Sequence, residues 1–208
     1  MEIQYFGGNC IKLTTKKATV TVDDLLAGLG QKSVTGADEI ALLTMPQGEA
    51  TSAARLVINT PGEYEVSDIS IQAIPARANM DGADQKSAIM FKIIADDVRA
   101  VVLGHIFPEL NDEQLEALGT VDVLLVPVGG GGYTLDPAGA LKLIKKIEPK
   151  IIIPTHYADK ALKYEIPQLE LDQALKELAM EPKEIVPKLK IKPTELTDTT
   201  QLIILERQ

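Results

Sequence analysis

The stretch that most constrains the fold runs from Val121 to Tyr157, VDVLLVPVGGGGYTLDPAGALKLIKKIEPKIIIPTHY. It reads as strand, glycine-rich turn, helix and strand. Val121–Val128 is short, apolar and rich in β-branched residues, as expected of a strand buried on both faces. Gly129–Gly132 then allows a sharp turn without Cβ clashes. Asp136 followed by Pro137 is a helix start, a capping side chain with proline at the first helical position. Ala140, Leu143, Ile144 and Ile147 recur at helical spacing and give that helix one apolar face. Pro149 stops the helix, Ile151–Ile153 reads as a second buried strand, and Pro154 is expected to end it. Thr155, His156 and Tyr157 then stand at a strand's carboxyl end, where open α/β sheets place their chemistry.

The rest of the chain fits around this unit. Met1–Tyr5, Cys10–Thr15 and Ala18–Val22 predict an antiparallel meander broken at Gly7-Gly8-Asn9 and Lys16-Lys17, and Asp23-Asp24 closes it. Ile40–Leu43 predicts a buried strand, and Thr44–Glu49 a loop by its Pro and Gly. Leu56–Ile58, Gly62–Val66 and Ile69–Ile74 read as strands, and Arg77–Lys86 as an exposed loop. Ala88–Ile94 and Val98–Leu103 pair as a hairpin. Asn111 and Gln114 form a capping-box pattern, with Leu110 and Leu115 spaced for a hydrophobic staple. A late helix from about Leu169 to Met180 and strands near Leu189–Ile191 and Gln201–Leu205 complete the chain. Many strands first and strand–helix alternation later predict an α+β sandwich, a single domain over residues 1–208.

Bulk properties narrow the partners. No apolar run approaches the roughly 20 residues that span a bilayer, and the amino terminus MEIQYFGGNC carries no signal-peptide pattern, so a cytoplasmic protein with no membrane contact is expected. The single cysteine excludes an internal disulfide framework and fits a reducing compartment. A net charge of −9, no Trp and 4% aromatics argue against nucleic acid. A small-molecule ligand is the expected partner; nothing in the sequence sets an oligomeric state.

The ordered segments resemble the metallo-β-lactamase fold, particularly the branch related to L-ascorbate-6-phosphate lactonase. The resemblance rests on Ile3–Asn9-Cys10, the strand ending at Asp23, Ala37-Asp38, Pro61-Gly62-Glu63-Tyr64-Glu65-Val66 and Leu103-Gly104-His105. It continues through the helix after Asn111, Val121–Leu124, Pro127–Gly130 and Ile153–Tyr157, covering about Met1 to Tyr157 in the family's order. It implies a four-layer αβ/βα sandwich with a metal site at the sheet edge. The family's hydrolases use two metal ions, usually zinc, to generate hydroxide and polarise the scissile bond. Their ligands come from an H-x-H-x-D-H loop, a later His, a bridging Asp and a final His.

This sequence departs from that set. The loop ligand positions fall on Thr44, Pro46, Gly48 and Glu49; the later His would fall near Ala78-Asn79 and is absent; the bridging Asp is replaced by His105. Only His156 keeps place and type. The chain holds only two histidines, so the candidate metal ligands are His105, His156, Glu49 and Asp23, enough for one metal and not for the two-metal set. Zinc or another divalent metal is expected only if this remodelled site binds one. His105 and His156 are each open to two readings, a metal or substrate contact or a hydrogen-bonded remnant. Asp23-Asp24 reads as supporting groups or a strand-ending turn, Glu63 as a cleft residue or a turn residue, and Gly129–Gly132 as an anion nest or a tight turn. Cys10 is a nucleophile with His156 as base, or a packed small hydrophobe. Two functions follow: a protein that has lost the binuclear zinc site and keeps a cleft for a ligand or partner, or a remodelled metal-dependent hydrolase of phosphoesters or lactones using His105 and His156.

Overall fold

The structure is a computed structural model and describes residues 1–45 and 53–208. The chain opens with β1 (Glu2–Gly7), β2 (Cys10–Thr14) and β3 (Thr19–Val22), paired antiparallel as expected. In β1 every second residue, Ile3, Tyr5 and Gly7, is buried, which is the period-two alternation of a strand with one face on a core. β4 (Ile40–Leu42) and β5 (Leu56–Ile58) add to β3 in parallel. With β13 (Leu189–Lys190) on the other edge they make a six-stranded sheet in the order β13-β1-β2-β3-β4-β5.

The second sheet begins with the antiparallel strands β6 (Gly62–Val66), β7 (Ile69–Ala76), β8 (Ala88–Ala95) and β9 (Val98–Val102). It continues in parallel through β10 (Val123–Pro127), β11 (Ile151–Thr155), β14 (Gln201–Leu205) and β12 (Glu184–Val186), in the order β12-β14-β11-β10-β9-β8-β7-β6. Every residue of β10 and β11 is buried, as a strand covered on both faces requires. Both sheets contribute side chains to one hydrophobic core, and the result is the α+β sandwich expected from the sequence.

The helices end and begin where their capping chemistry dictates. In α1 (Asp112–Leu118) Asn111 and Gln114 form the full capping box. In α2 (Pro137–Ile147) the Asp136 carboxylate accepts from the Gly139 amide at 2.7 Å, Pro137 takes the first position, and Lys145 and Lys146 complement the dipole in the last turn. α2 buries Ala140, Leu143, Ile144 and Ile147, and full burial of each large aliphatic is worth roughly 1.5–3 kcal/mol. α3 (Leu171–Leu178) packs against α2 and is shorter than the expected span of about Leu169 to Met180. No helix among the described residues is long and apolar enough to cross a membrane.

Two strand expectations change. Pro154 does not end β11; it lies opposite Val126, and the strand runs on to Thr155. The Thr155 carbonyl accepts from Val128 on the β10 side, so the preceding proline nitrogen faces the β14 side, where pairing has stopped at Ile152. The missing N–H therefore costs no ladder bond. β12 was not expected: its three residues are mostly exposed and give no apolar pattern, and it exists because β14 offers an edge.

Candidate functional site

The ends of β1, β3 and β4 from one sheet and of β9, β10 and β11 from the other meet at one edge of the sandwich, and Asp23 is the hub of that meeting. Its φ of 45° turns the chain out of β3 while its amide still bonds the Leu42 carbonyl at 2.9 Å. The Asp23 side chain is buried and accepts three bonds. Thr44 N–H reaches Oδ1 at 2.7 Å, while the Thr44 hydroxyl at 2.5 Å and Asn9 Nδ2 at 2.7 Å share Oδ2. Thr155 Oγ1 donates to Asn9 Oδ1 at 2.9 Å, which ties the end of β11 into the same network. Burial pushes the Asp23 carboxyl up, and the donors from Thr44 and Asn9 pull it back towards the carboxylate without fully cancelling the burial. Gly104 makes room for this arrangement: at its φ of 64° a Cβ would overlap the Thr44 side chain.

The histidines are held in defined tautomers. His105 Nδ1 lies 3.0 Å from Thr44 Oγ1. The single Thr44 hydroxyl proton is donated to Asp23, so Thr44 accepts from His105 and Nδ1 carries the imidazole proton. His156 sits at φ 52°, anchored by its amide to the Gly8 carbonyl at 2.7 Å. Its Nδ1 faces Gln168 Oε1 at 3.2 Å, and Gln168 Nε2 donates to the Ile166 carbonyl at 2.9 Å, which fixes the amide so that oxygen meets the imidazole. His156 Nδ1 is therefore also the protonated nitrogen. Neither Nε2 has a hydrogen-bond partner among the described residues, and both rings line the same cavity of about 280 Å³. The two imidazoles meet edge to face with centroids 5.2 Å apart, Tyr133 lies 4.9 Å from His105, and Tyr164 lies 5.3 Å from His156.

Burial pushes both imidazoles down to about 4, with His105 adding to the effect on His156. Both are neutral at physiological pH. Between the ordinary histidine value of 6.5 and about 4 the unfolded chain binds protons that the folded chain refuses. Stability is thus full above 6.5 and falls as the pH drops through that window. The raised Asp23 carboxyl acts with opposite sign just above 3.8 and offsets part of the loss there. Urea midpoints measured across this range are expected to decline on acidification, and a His105→Phe/His156→Asn double variant to show a flatter profile; an equal slope in both proteins would count against the neutral pair.

The segment after Ala158 closes one side of the cavity. Lys163 N–H bonds the Leu29 carbonyl at 3.0 Å, Gly8 N–H bonds the Tyr164 hydroxyl at 3.2 Å, and that hydroxyl donates to the Tyr157 carbonyl at 3.1 Å. Leu169 N–H reaches the Gly129 carbonyl at 2.9 Å, and Arg207 pairs with Asp159 at 2.6 Å. Residues 158–170 form a strap over the strand ends, supplying Tyr164, Ile166 and Gln168 to the cavity wall.

The matching family model covers residues 2–156 and is described as a beta-lactamase superfamily domain. The chain belongs to that family. A metal-dependent hydrolase of Archaeoglobus fulgidus is 30% identical over 107 residues, covering 48% of this chain and 46% of the relative. The aligned part thus spans about half the length of the curated relatives it matches. Among solved structures, one described as a zinc-dependent hydrolase of the metallo-β-lactamase superfamily from Thermotoga maritima superposes with a TM-score of 0.76 at 26% identity, over 100% of this chain and 99% of that one. Igni18, a metallo hydrolase of Ignicoccus hospitalis, has a TM-score of 0.58 at 16% identity, over 86% of this chain and 90% of that one, a likeness of fold alone.

Within this beta-lactamase superfamily domain the sequence candidates sort clearly. His105, His156 and Asp23 are brought to one cavity; Glu49, with Pro46 and Gly48, lies outside the described residues. Asp23 is both the strand-ending turn and the anchor of the site. Asp24 instead ties down residues 33–35: burial raises its carboxyl, but bonds from Ser33, Thr35 and the Val34 amide outweigh that and leave it lowered. Cys10 is fully buried away from the cavity lining, its thiol pushed well up by burial and by Asp24 and Asp23, which removes it as a nucleophile. Glu63 is exposed on the edge strand β6 and does not line the cavity. Gly130, Gly131 and Gly132 all have positive φ and form the tight turn. Thr155 stands at the strand end the sequence pointed to, while the roles of Asn9, Tyr133, Tyr164 and Gln168 were missed by sequence reasoning.

The described donor set does not fit the superfamily's two-metal centre. Zinc takes three or four His, Cys, Asp or Glu ligands in near-tetrahedral array. Among the described residues no group of three such side chains is placed to hold a metal ion. Asp23 accepts from Thr44 and Asn9 at both oxygens, and its Oδ2 is 3.9 Å from the protonated Nδ1 of His105, which is a supporting contact and not a shared-metal geometry.

Proposed function

We propose that this superfamily member has given up the binuclear zinc site of its hydrolase relatives and uses the retained cleft to bind a small ligand. The observation that carries this reading is the Asp23–Thr44–His105 chain. Both oxygens of a carboxylate at the metal-site edge accept from protein donors, with a threonine standing where a loop ligand is expected. Such an internally satisfied network holds the cleft in shape without an ion at its centre. The cavity itself, enclosed by the strap of residues 158–170, is the part of the site that persists.

A second reading is favoured by one specific observation, the pair of Nε2 atoms on His105 and His156 that have no partner among the described residues. In that reading they hold a single divalent metal together with a further ligand, and the protein is a remodelled hydrolase of phosphoesters or lactones, as the resemblance to the ascorbate-phosphate lactonase branch suggests. Turnover separates the two. Bis(p-nitrophenyl) phosphate and an aryl lactone are incubated with the wild type and with a His105→Ala/His156→Ala variant, each with and without added zinc or manganese. The ligand-binding reading expects no metal-dependent turnover in either protein. Turnover that needs metal and disappears in the double variant would establish the hydrolase.

A further inference from the structure

The cavity wall carries a second message. Four rings follow one another around it, Tyr133, His105, His156 and Tyr164, with successive centroids 4.9, 5.2 and 5.3 Å apart. Aromatic faces attract cations through their quadrupole, most strongly where water is excluded. His105 and His156 are only 3% and 6% exposed, and neither Nε2 has a hydrogen-bond partner among the described residues. Neither nitrogen is sealed off: each stays open to the cavity, where a ligand that brings donors can reach its lone pair. Asp23 lines the same cavity with its carboxylate, and the other lining includes the apolar side chains of Leu25, Leu29 and Ile166. The charged groups Lys163 and Glu165 are exposed residues at the rim and oppose one another in sign. The net charge of −9 gives the whole chain a field that draws cations.

We propose that the cavity binds a small organic cation, a primary ammonium on a compact apolar body, with the ammonium among the four rings and its protons directed at the two Nε2 atoms. An ammonium supplies three donors and no acceptor, the complement of two lone pairs beside a carboxylate. A phosphate or carboxylate ligand would set its oxygens against those same lone pairs and against Asp23, and the cationic side chain among the described lining residues, Lys163, is exposed with Glu165 two residues away. The proposal rests on the reading of the cleft as a ligand site and names the chemistry of that ligand.

The test is calorimetry on the full chain, freed of metal with a chelator, using phenethylamine and its anionic counterpart 3-phenylpropanoate at neutral pH, with zinc titrated separately. One phenethylamine per chain is expected, bound at least about tenfold more tightly than the anion. Weakening of about tenfold is expected both in Tyr133→Leu, which removes one half-buried wall, and in His105→Phe, which keeps a ring and removes a lone pair. Equal or tighter binding of the anion would overturn the cation assignment and leave the cleft as a ligand site. Binding of neither compound would also overturn it, and if zinc alone bound, the ligand-binding reading would fall with it. Wild-type affinity in both variants would overturn the placement among the rings.

Discussion

Asp23→Ala is expected to destabilise the protein by about 3–5 kcal/mol, because it strands several buried donors at once. The Thr44 amide, the Thr44 hydroxyl and Asn9 Nδ2 all end on this carboxylate, and both residues are buried. Asn9 in turn positions Thr155, so the loss reaches from β3 to the end of β11. The left-handed backbone at φ 45° adds to the penalty, since alanine adopts it less readily than aspartate. Asp23→Asn keeps an acceptor for the Thr44 amide and the tolerated backbone, and is expected to cost less. Urea unfolding with an unchanged m-value measures both. An alanine variant within about 1 kcal/mol of wild type would show that the network does not hold the strand ends together.

Gly129→Ala is expected to be at least as damaging, at about 3 kcal/mol or more. A Cβ there would overlap the His156 carbonyl oxygen and crowd Gln168 Oε1. The carbonyl cannot retreat: the preceding residue is locked into the β10–β11 pairing by the 3.0 Å bond from Val128 N–H to the Thr155 carbonyl, and the His156 amide is held by Gly8. Gly132 provides the control. Unlike Gly129 it has a positive φ, at 75°, but nothing stands within 4 Å of its Cβ position, so Gly132→Ala is expected to cost only about 1 kcal/mol of backbone strain. Differential scanning calorimetry of the two variants compares them directly. Similar melting temperatures would mean that the close approach at Gly129 costs no more than the left-handed backbone at Gly132.

The parts of the fold that were legible from the sequence are those where local chemistry and tertiary demand agree. Asp136-Pro137 starts α2 because the cap and the fixed proline φ serve the helix whatever it packs against, and the Asn111–Gln114 box behaves in the same way. Val123–Pro127 and Ile151–Pro154 are apolar throughout, and only a position covered on both faces satisfies them. Pro154 misled because its cost depends on whether a neighbour strand needs its N–H, and β14 has already stopped pairing there. β12 was invisible because three half-exposed residues gain their strand geometry from β14 and not from their own pattern.

The site was legible where a side-chain type stands out. With only two histidines in the chain, His105 and His156 drew attention by chemistry alone, and the strand ends brought them together. Asp23 stood out as a carboxylate at a strand end. Its partners did not: Thr44 looked like a poor metal ligand, and its value as a hydroxyl relay appears only when Asp23 and His105 are seen on either side of it. Tyr164 and Gln168 lie in a charged connector with no periodicity, and they reach the cavity because residues 158–170 fold back over Gly8, Leu29 and Gly129. Contacts between residues so far apart in sequence leave no local signal.

The central claim is that the metal centre has been replaced by a protein-satisfied network around a ligand cleft. The most direct test is the metal stoichiometry of untagged protein, determined by elemental analysis as purified and again after saturation with zinc and desalting. The account predicts no stoichiometric metal in either sample, because the described donors do not converge on an ion. Two tightly held zinc ions per chain, the complement of the superfamily's hydrolytic centre, would contradict it.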